Sequence, residues 1–176
     1  MMRKVEVVPY NPSWRVLFET ESNQIAIALA KNVTAIHHIG STSIETIYAK
    51  PIIDILVTVK SISKVDDRNS QMQSLGYQYM GEFGIRGQRF LLKDNPAKIR
   101  THHVHVFETD SPQVKRHLAF RDYLNAHFEE AQAYSTLKQS LAEKYPDDIE
   151  QYMDGKNGFI QEIDRQAAEW KKRQPL

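Results

Sequence analysis

Cysteine is absent from this 176-residue chain, which excludes disulfide bridges and thiolate zinc sites. Any metal would therefore be held by histidine, aspartate, glutamate or main-chain oxygen. Long hydrophobic runs are also lacking, since no stretch of about 18 apolar residues occurs. The first residues, MMRKVEVVPY, have no apolar run behind their charges. We therefore expect neither a membrane span nor a signal peptide, and a cytoplasmic protein.

An excess of charge of one sign is missing as well. Lysine and arginine number 23, and aspartate and glutamate number 22. The basic surplus that drives binding to a phosphate backbone is therefore not present, and bulk nucleic-acid binding is disfavoured. A small nucleotide remains compatible with this balance. The sequence predicts no oligomeric state.

The chain is predicted to form one α+β domain over residues 1–176, because this length supports one sizeable core and no linker or repeat divides it. We expect a mixed β-sheet with helices packed on one face and a helical C-terminal third, broken at Pro146 and at the Asp154-Gly155 pair. The predicted elements are helices over 12–31 and 61–75, strands over 33–39, 52–59, 78–82, 88–93 and 103–108, and helices from 111 onwards. The first helix should pack on the sheet through the stripe Trp14, Leu17, Phe18, Ile25 and Leu29.

A turn of small residues precedes an acid-bearing strand in the segment HHIGSTSIETIYAKPIIDILV. The turn offers hydroxyls and unpaired N–H groups at the start of a short helix, where phosphate is readily held. A lysine just before the strand can add a charge-assisted contact. The predicted phosphate-binding residues here are Gly40, Ser41, Thr42, Ser43 and Lys50.

Asp54 is the acid on that strand. Because side chains two apart share a face, Ile53, Ile55 and the valines that follow form an apolar face that should lie against helices. Asp54 then lies on the opposite face with Leu56 and Thr58, where it can reach a cleft and a cation. We predict Asp54 as the catalytic, metal-binding carboxylate.

A glycine-serine turn followed by a strand acid resembles the signature of the DNA polymerase β-like nucleotidyltransferase superfamily. The chain is similar to the GrpB (UPF0157) family in several motifs. These are HIGSTS, AKPIIDI, YNPSW near the N-terminus, HVH at 103–105, FRDYL at 120–124 and GK at 155–156. The resemblance implies a nucleotidyltransferase-like α+β fold, in which the turn grips nucleotide phosphates and carboxylates hold magnesium. That family is defined by sequence and fold more than by a demonstrated reaction.

One carboxylate of the superfamily pattern is replaced, since its second acid falls at Leu56. His103 and His105 are the best substitutes, because they alternate on a strand and project from one face. If that strand lies beside the one with Asp54, the three form a two-histidine, one-carboxylate set. Magnesium or manganese is the expected divalent metal, with zinc or nickel as alternatives that suit this set. The imidazoles could equally hydrogen-bond within a polar cleft or bind anions.

Four further basic residues are candidates for the cleft. His38, rather than His37, is expected to share its face, on strand parity and family wording. Arg89 is the preferred triphosphate contact within the basic stretch 86–100, although a solvated hairpin face explains that stretch equally well. Arg121 and Lys156 match the family wording and could close the cleft, with Lys156 on the nucleotide. An ion pair of Arg121 with a nearby aspartate is an equal alternative.

Two functions follow from these residues. The first is a metal-dependent nucleotidyltransferase that moves a nucleoside monophosphate from a nucleoside triphosphate to an unidentified acceptor. The alternative is a non-catalytic nucleotide- or metal-binding module that kept the fold and lost the second carboxylate. Tyr77, Tyr79 and Phe83 could stack on a base, or could pack a hairpin on the core.

Overall fold

A computed structural model describes residues 4–174. The predicted domain covers 1–176, so its two ends, residues 1–3 and 175–176, lie outside the described residues. The elements are α1 (Ser13–Leu29), β1 (Val33–Ile39), β2 (Ile53–Val59), α2 (Ser63–Asp66), α3 (Asn69–Ser74), β3 (Tyr77–Tyr79), β4 (Arg89–Asp94), β5 (Arg100–Glu108), α4 (Pro112–Ala126), α5 (Phe128–Lys144) and α6 (Ile149–Lys172), with 3-10 turns at Ala30–Asn32 and Ser41–Ser43. In this part of the chain no helix combines the length and the apolar character that crossing a membrane requires.

The five strands form one mixed sheet in the order β1-β2-β5-β4-β3. The central strands β2 and β5 run parallel, with Asp54 beside His103 and Leu56 beside His105. The other neighbours are antiparallel, and β1 sets Ile39 beside Asp54. The predicted α+β class, with its mixed sheet and helical C-terminal region, is confirmed.

The first helix covers one face of the sheet. Trp14, Ile25 and Leu29 are buried against the apolar side of β2, as its alternation predicts. Leu17, which was predicted in the same stripe, is instead 48% exposed. At 100° per residue Leu17 lies about 20° beyond Ala28, just outside the arc that the buried positions occupy, so it borders the solvent.

The opposite face is partly covered by α4. Ile39, Leu56 and Phe107 form a small apolar cluster with Val114 of that helix. Helices therefore lie on both sides of the sheet, whereas the sequence predicted them on one face, and the part of this face around Asp54 stays open. The strand that carries the acid is thus anchored by packing on both faces while its acid keeps access to solvent.

Two helices differ from the prediction in where they are interrupted. The helix expected over 61–75 is divided into α2 and α3, and Gly76 ends it with φ +97°. Gly155, expected to interrupt the last helix, lies inside a continuous α6. A Cβ at Gly155 would come within 2.5 Å of the Leu141 side chain on α5. This glycine therefore serves close packing between two helices, which its sequence signal does not separate from a break.

The segment that follows the small-residue turn is attached to the helical region. Three side chains of α4 and α5 form hydrogen bonds with its backbone. Asn125 donates to the Ser43 carbonyl at 3.2 Å, Gln132 donates to the Thr46 carbonyl at 2.8 Å, and the Ser135 hydroxyl accepts from the Tyr48 N–H at 2.9 Å. Ile44 and Ile47 also pack among the buried residues of α4, α5 and α6. The turn is held as much by these helices as by the sheet.

Candidate functional site

Asp54 is the centre of the candidate site, with its side chain 27% exposed. The parallel register brings two imidazoles to one of its oxygens: His103 Nδ1 lies 3.3 Å and His105 Nε2 lies 3.7 Å from Oδ1. Burial raises the pKa of Asp54, but its hydrogen bonds with the two histidines and their charge outweigh this, so the pKa lies well below its usual range. Asp54 is therefore ionised near neutral pH.

The tautomer of His105 is fixed by a buried glutamine. Gln88, 1% exposed, donates from Nε2 to the Glu82 carbonyl at 3.0 Å, which turns its Oε1 toward His105 Nδ1 at 2.9 Å. Since that oxygen only accepts, Nδ1 carries a proton. In the neutral ring the lone pair of Nε2 then faces the Asp54 carboxylate, and two acceptors facing each other require a proton or a cation between them.

His103 has the opposite arrangement. Arg100 Nη1 lies 3.3 Å from His103 Nε2, and a guanidinium can only donate, so Nε2 accepts and Nδ1 bears the proton that is donated to Asp54. Arg100 is itself held by Asp94 at 2.6 Å. His103 thus orients the carboxylate in this arrangement instead of presenting a lone pair beside it.

The predicted set of three metal ligands is therefore not formed as such. Over residues 4–174, no three histidine, aspartate or glutamate side chains are placed to hold a metal ion together. Asp54 and His105 offer one carboxylate oxygen and one imidazole nitrogen. A divalent ion that takes its remaining ligands from phosphate oxygens and water fits such a partial set. Leu56, at the place of the second acid, is fully buried in the apolar cluster beneath α4.

The turn before β2 touches the acid directly. Gly40 has φ +72°, and a Cβ there would lie 2.5 Å from Asp54 Oδ2. Ser43 donates its hydroxyl to the Gly40 carbonyl at 2.5 Å, and Thr42, 1% exposed, donates to the Ile52 carbonyl at 3.3 Å. These two hydroxyls hold the turn together. The N–H groups of Ser41 and Thr42, at its start, have no acceptor within the turn and are the ones suited to phosphate.

Replacing Gly40 by alanine is expected to lower the free energy of unfolding by about 3 kcal/mol, because the positive φ is strained and the added Cβ displaces the Asp54 carboxylate. Urea denaturation of the purified variant measures the loss. Gly76→Ala is the matched control, since its φ is also positive but the nearest atom to its Cβ is a flexible Lys93 carbon at 3.4 Å. Equal losses in the two variants would contradict the close approach to Asp54.

A cluster of lysines lies on the helical side of Asp54, made of Lys50, Lys138 and Lys156. Lys138 of α5 is 1% exposed, with Nζ 4.6 Å from the Tyr134 ring centroid. Lys156 of α6 is 7% exposed, with Nζ 4.7 Å from the Tyr152 ring centroid, and the ring of Tyr152 also lies 5.3 Å from Lys50 Nζ. Neither Lys138 Nζ nor the buried Tyr152 hydroxyl has a hydrogen-bond partner among the described residues.

The electrostatics of this lysine cluster favour an incoming anion. Burial, then repulsion from Lys156 and Lys50, lowers the pKa of Lys138 to about 6. Burial and Lys50 lower the pKa of Lys156 to about 8, although the Asp54 carboxylate acts in the opposite direction. Desolvated amines that repel one another are costly unless a counter-ion is bound. A phosphate group would pair with them and raise these pKa values.

Sequence reasoning identified Lys50 and Lys156 and missed Lys138. The sequence feature that could have indicated Lys138 is its position at helical spacing within the apolar stripe of Tyr134, Leu141 and Tyr145. His117 was missed as well: its ring centroid lies 5.5 Å from that of His105. Burial and then Arg116 lower the pKa of His117 to about 3, so it is neutral.

The placement predicted for His38 is wrong. The antiparallel register sets His38 beside Ile55 and His37 beside Leu56, so it is His37 that shares the Asp54 face. The His38 ring stacks on Phe18 of α1 at 4.9 Å, and its Nε2 donates to Thr42 at 2.9 Å. Burial lowers the pKa of His38 to about 4. His38 supports the turn from behind and lines the cavity between α1, β1 and α4, and it does not share the face of Asp54.

The prediction for Arg89 is also wrong. Arg89 pairs with Val106 across β4 and β5, which puts it on the α1 face, away from Asp54. There it binds Asp66 through two contacts of 2.8 Å and 3.2 Å. Two other cations of the basic stretch form ion pairs, Lys93 with Glu21 at 2.7 Å and Arg100 with Asp94.

Arg121 follows the ion-pair alternative. Its Nε lies 2.9 Å from Asp122 Oδ1, and its Nη1 donates to the His38 carbonyl at 3.2 Å. It lines a cavity of about 410 Å³ between α1, β1 and α4. Arg121 therefore fastens α4 to the end of β1, next to the turn, and does not reach Asp54 with a charged contact.

The class of fold is nucleotidyltransferase-like. Terminal uridylyl transferase 4 from Trypanosoma brucei, solved with bound dUTP, gives a TM-score of 0.55 at 10% identity over 95% of this chain and 57% of that chain. The Cid1 poly(U) polymerase, solved with MgGTP bound, gives 0.54 at 9% identity over 77% of this chain and 44% of that chain. At such identities the likeness concerns the fold alone.

Within that class the chain belongs to the GrpB family, whose model matches residues 4–166. UPF0157 protein YqkA of Bacillus subtilis is 45% identical over 170 residues, which is 97% of this chain and 49% of that protein. The chain thus spans about half the length of this relative. The crystal structure of the conserved protein GrpB from Enterococcus faecalis gives a TM-score of 0.91 at 44% identity, over 96% of this chain and 100% of that one. The family resemblance predicted from the sequence is confirmed.

Proposed function

We propose that this protein is a metal-dependent nucleotidyltransferase, which transfers a nucleoside monophosphate from a nucleoside triphosphate to a hydroxyl of an acceptor. The observation that carries the proposal is the lysine cluster of Lys50, Lys138 and Lys156 beside the Asp54 carboxylate. The buried Lys138 amine, which has no hydrogen-bond partner within residues 4–174, favours an anion, and an ionised acid next to an anion needs a cation. A nucleotide with its metal supplies both. The fold neighbours solved with dUTP and MgGTP support this assignment.

The phosphate chain is bound from two sides in this proposal. The lysine cluster pairs with the β- and γ-phosphates as point charges. The N–H groups of Ser41 and Thr42 donate to phosphate oxygens at the start of the turn. Binding is then strongest for a triphosphate, weaker for a diphosphate and weak for a monophosphate. Each phosphate that is removed takes away negative charge that the lysines would neutralise.

Asp54 and His105 would hold a divalent cation, while His103 keeps the carboxylate in place through its Nδ1–H. A divalent ion there would supply neutralisation of phosphate charge next to the carboxylate. Gln88 keeps Nε2 of His105 directed at the ion. With one carboxylate and one imidazole, manganese or zinc suits the pair, and magnesium requires more oxygen from the nucleotide.

The transfer step exchanges one bond for another. The acceptor oxygen forms a bond to the α-phosphorus, the bond from that phosphorus to the bridging oxygen of the β-phosphate breaks, and the hydroxyl proton leaves to solvent water. Pyrophosphate departs with the electron pair of the broken bond, next to the lysines. The protein supplies position and charge neutralisation in this step.

A second candidate is a binding module without transfer. The observation that favours it is Leu56, because this buried leucine leaves the superfamily's second acid position without a ligand. Such a module would bind nucleotide and metal through the same residues. Turnover separates the two candidates.

The test is calorimetric titration of the metal-stripped wild-type protein with ATP, GTP, CTP and UTP, with magnesium, manganese or zinc and without metal. Pyrophosphate release is followed in parallel with small alcohols, nucleosides and amino sugars as acceptors. Metal-dependent binding with pyrophosphate release supports the transferase, and binding without release supports the module. No binding of any triphosphate under any condition would refute both.

Replacing Gln88 by methionine is expected to weaken zinc binding by about 10- to 100-fold, the usual effect of losing the partner that orients a histidine ligand. Methionine preserves the buried volume and removes both the acceptor for His105 Nδ1 and the donor to the Glu82 carbonyl. Zinc affinity is measured by competition with a chromogenic chelator. Gln78→Met, on the exposed side of β3, is the control and should bind as the wild type does; an unchanged Gln88→Met would remove His105 from the cation site.

A further inference from the structure

The hairpin between β3 and β4 folds over the Asp54 face of the sheet. Ile85 packs on the apolar cluster of Leu56 and Phe107, and Gln88 bonds His105. The loop therefore forms a wall of the cleft, on the side of Asp54 away from the lysine cluster. In the sheet order β1-β2-β5-β4-β3, the turn that follows β1 lies toward β1, together with α5, which is bonded to the segment after the turn, and this wall lies toward β4.

Phe83 is the exposed side chain of that wall. One face of its ring stacks on Phe90, with centroids 4.8 Å apart and planes at 19°. Phe90 is 6% exposed, and its ring lies 5.4 Å from that of His103 and 5.1 Å from that of His105. Phe83 itself remains 60% exposed. A stack of two aromatic rings thus leads from the histidines beside Asp54 to the solvent.

The backbone presents this ring at a cost. Phe83 has φ +48°, a region that bulky residues rarely adopt. Its neighbours in the loop, Gly81 and Gly84, would meet nothing within 4 Å if they had a Cβ. The free face of Phe83 therefore stands in open space with small residues on either side. That surface accommodates one flat ring and is too small to dock a folded protein or a membrane.

We propose that Phe83 is a stacking platform for the base of the acceptor, and that the acceptor is a nucleoside or nucleotide. The inference rests on the proposed transferase function. In an in-line transfer the attacking oxygen enters opposite the leaving group. Since pyrophosphate leaves beside the lysine cluster, the acceptor enters from the side of β5 and β4, where the Phe83–Phe90 stack lies.

Stacking on a phenylalanine suits a nucleobase because every base has a flat π-face. The other aromatic residues of the hairpin do not offer one. Tyr77 is buried and donates to Glu21 at 2.8 Å, and Tyr79 donates to Asp66 at 2.8 Å on the α1 face. Phe83 alone, of the three aromatic residues that the sequence suggested for this purpose, lies on the face of Asp54.

The experiment is calorimetric titration of AMP and of ribose 5-phosphate into wild-type protein, Phe83→Ala and Phe83→Trp. Each titration is run with and without saturating inorganic tripolyphosphate, which fills the lysine cluster. We expect Phe83→Ala to weaken AMP binding about tenfold, Phe83→Trp to retain it, and ribose 5-phosphate to bind all three proteins equally weakly. Phe128→Ala, which removes a phenylalanine that is 63% exposed at the start of α5, is the control.

AMP affinity that is unchanged in Phe83→Ala, or wild-type protein that does not discriminate AMP from ribose 5-phosphate, overturns the proposal. Failure of the transferase function gives a different result: tripolyphosphate and ATP would not bind the wild-type protein, whereas the loss of AMP binding on removing Phe83 would still be measurable without tripolyphosphate. A loss of AMP binding that also occurs in Phe128→Ala would refute a specific platform.

Discussion

Replacing Lys138 by methionine is expected to make the protein more stable and, at the same time, to remove most of its affinity for a nucleoside triphosphate. At pH 7, keeping this amine neutral against its ordinary pKa of 10.5 costs on the order of 5 kcal/mol, at about 1.4 kcal/mol per tenfold. Methionine has a similar length and needs no counter-ion. We expect the free energy of unfolding to rise by about 2–4 kcal/mol, and triphosphate affinity to fall about 100-fold.

The pH dependence of the two quantities runs in opposite directions. Below about pH 6 Lys138 is protonated in the folded and the unfolded chain, and between about 6 and 10.5 only the unfolded chain keeps the proton. The free energy of unfolding therefore rises with pH across this window, and this rise is missing from Lys138→Met. Triphosphate affinity falls as pH rises from 6 to 9, because the amine loses its charge. Urea denaturation and titration calorimetry at four pH values measure both.

Lys144→Met is the control for this prediction, because Lys144 is an exposed lysine of the same helix. It should leave stability, affinity and their pH dependence unchanged. A Lys138→Met protein that is less stable than the wild type would mean that the amine is paired in the folded chain. Unchanged triphosphate affinity would take Lys138 out of the phosphate site and with it the observation on which the function is proposed.

Replacing Asp54 by asparagine is expected to remove the metal-dependent part of nucleotide binding, a loss of about 100-fold with manganese present, and to leave metal-free binding within about twofold. Asparagine has the same shape but no charge, so the cation loses its carboxylate while the lysines keep the phosphates. The variant should also lose about 1–3 kcal/mol of stability, since His103 then donates to a weaker acceptor. Titrations with and without metal, next to urea denaturation, give these values.

Asp66→Asn provides the comparison for Asp54→Asn. Hydrogen bonding by Arg89 lowers the pKa of Asp66, so it too is an ionised acid, but it lies on the α1 face. Its loss should affect stability only. For Asp54 the carboxylate contributes stability above its ordinary pKa, and this contribution disappears as the pH falls below that range. Metal-dependent binding that survives in Asp54→Asn would refute the site assignment.

The central strands could be predicted because their signal is local. Alternation along 53–59 and 103–106 fixes the face of each residue whatever the partner, so Asp54, His103 and His105 were brought to one face correctly. Which strands are neighbours required the resemblance to a known family. Whether His103 or His105 donates to Asp54 depends on their contacts with Arg100 and Gln88. The spacing of these residues along the chain does not predict those contacts.

Two errors at the site have a common origin in strand register. Parity with Gly40 and the family motif both favour His38, but a glycine in a turn carries no information on the face of a preceding strand. Arg89 was assigned by charge, although its position next to Phe90 puts it on the other face. The sequence does not single out Lys138, because one lysine within an apolar helix stripe resembles a residue at the edge of that stripe. The burial of Lys138 depends on α6, which is distant in sequence.

The three hydrogen bonds from Asn125, Gln132 and Ser135 to the backbone of segment 43–48 have a consequence for how the protein responds to its ligand. These bonds join the turn that would hold phosphate to the helix that carries Lys138. Neither can move away from the other without breaking them, so we expect the two to unfold locally as one unit. The phosphate end of the site thus forms one cooperative unit with α4 and α5, and protection of their amides against exchange with solvent should increase when the ligand binds. Affinity for the nucleotide is then set partly by how firmly the C-terminal half is folded.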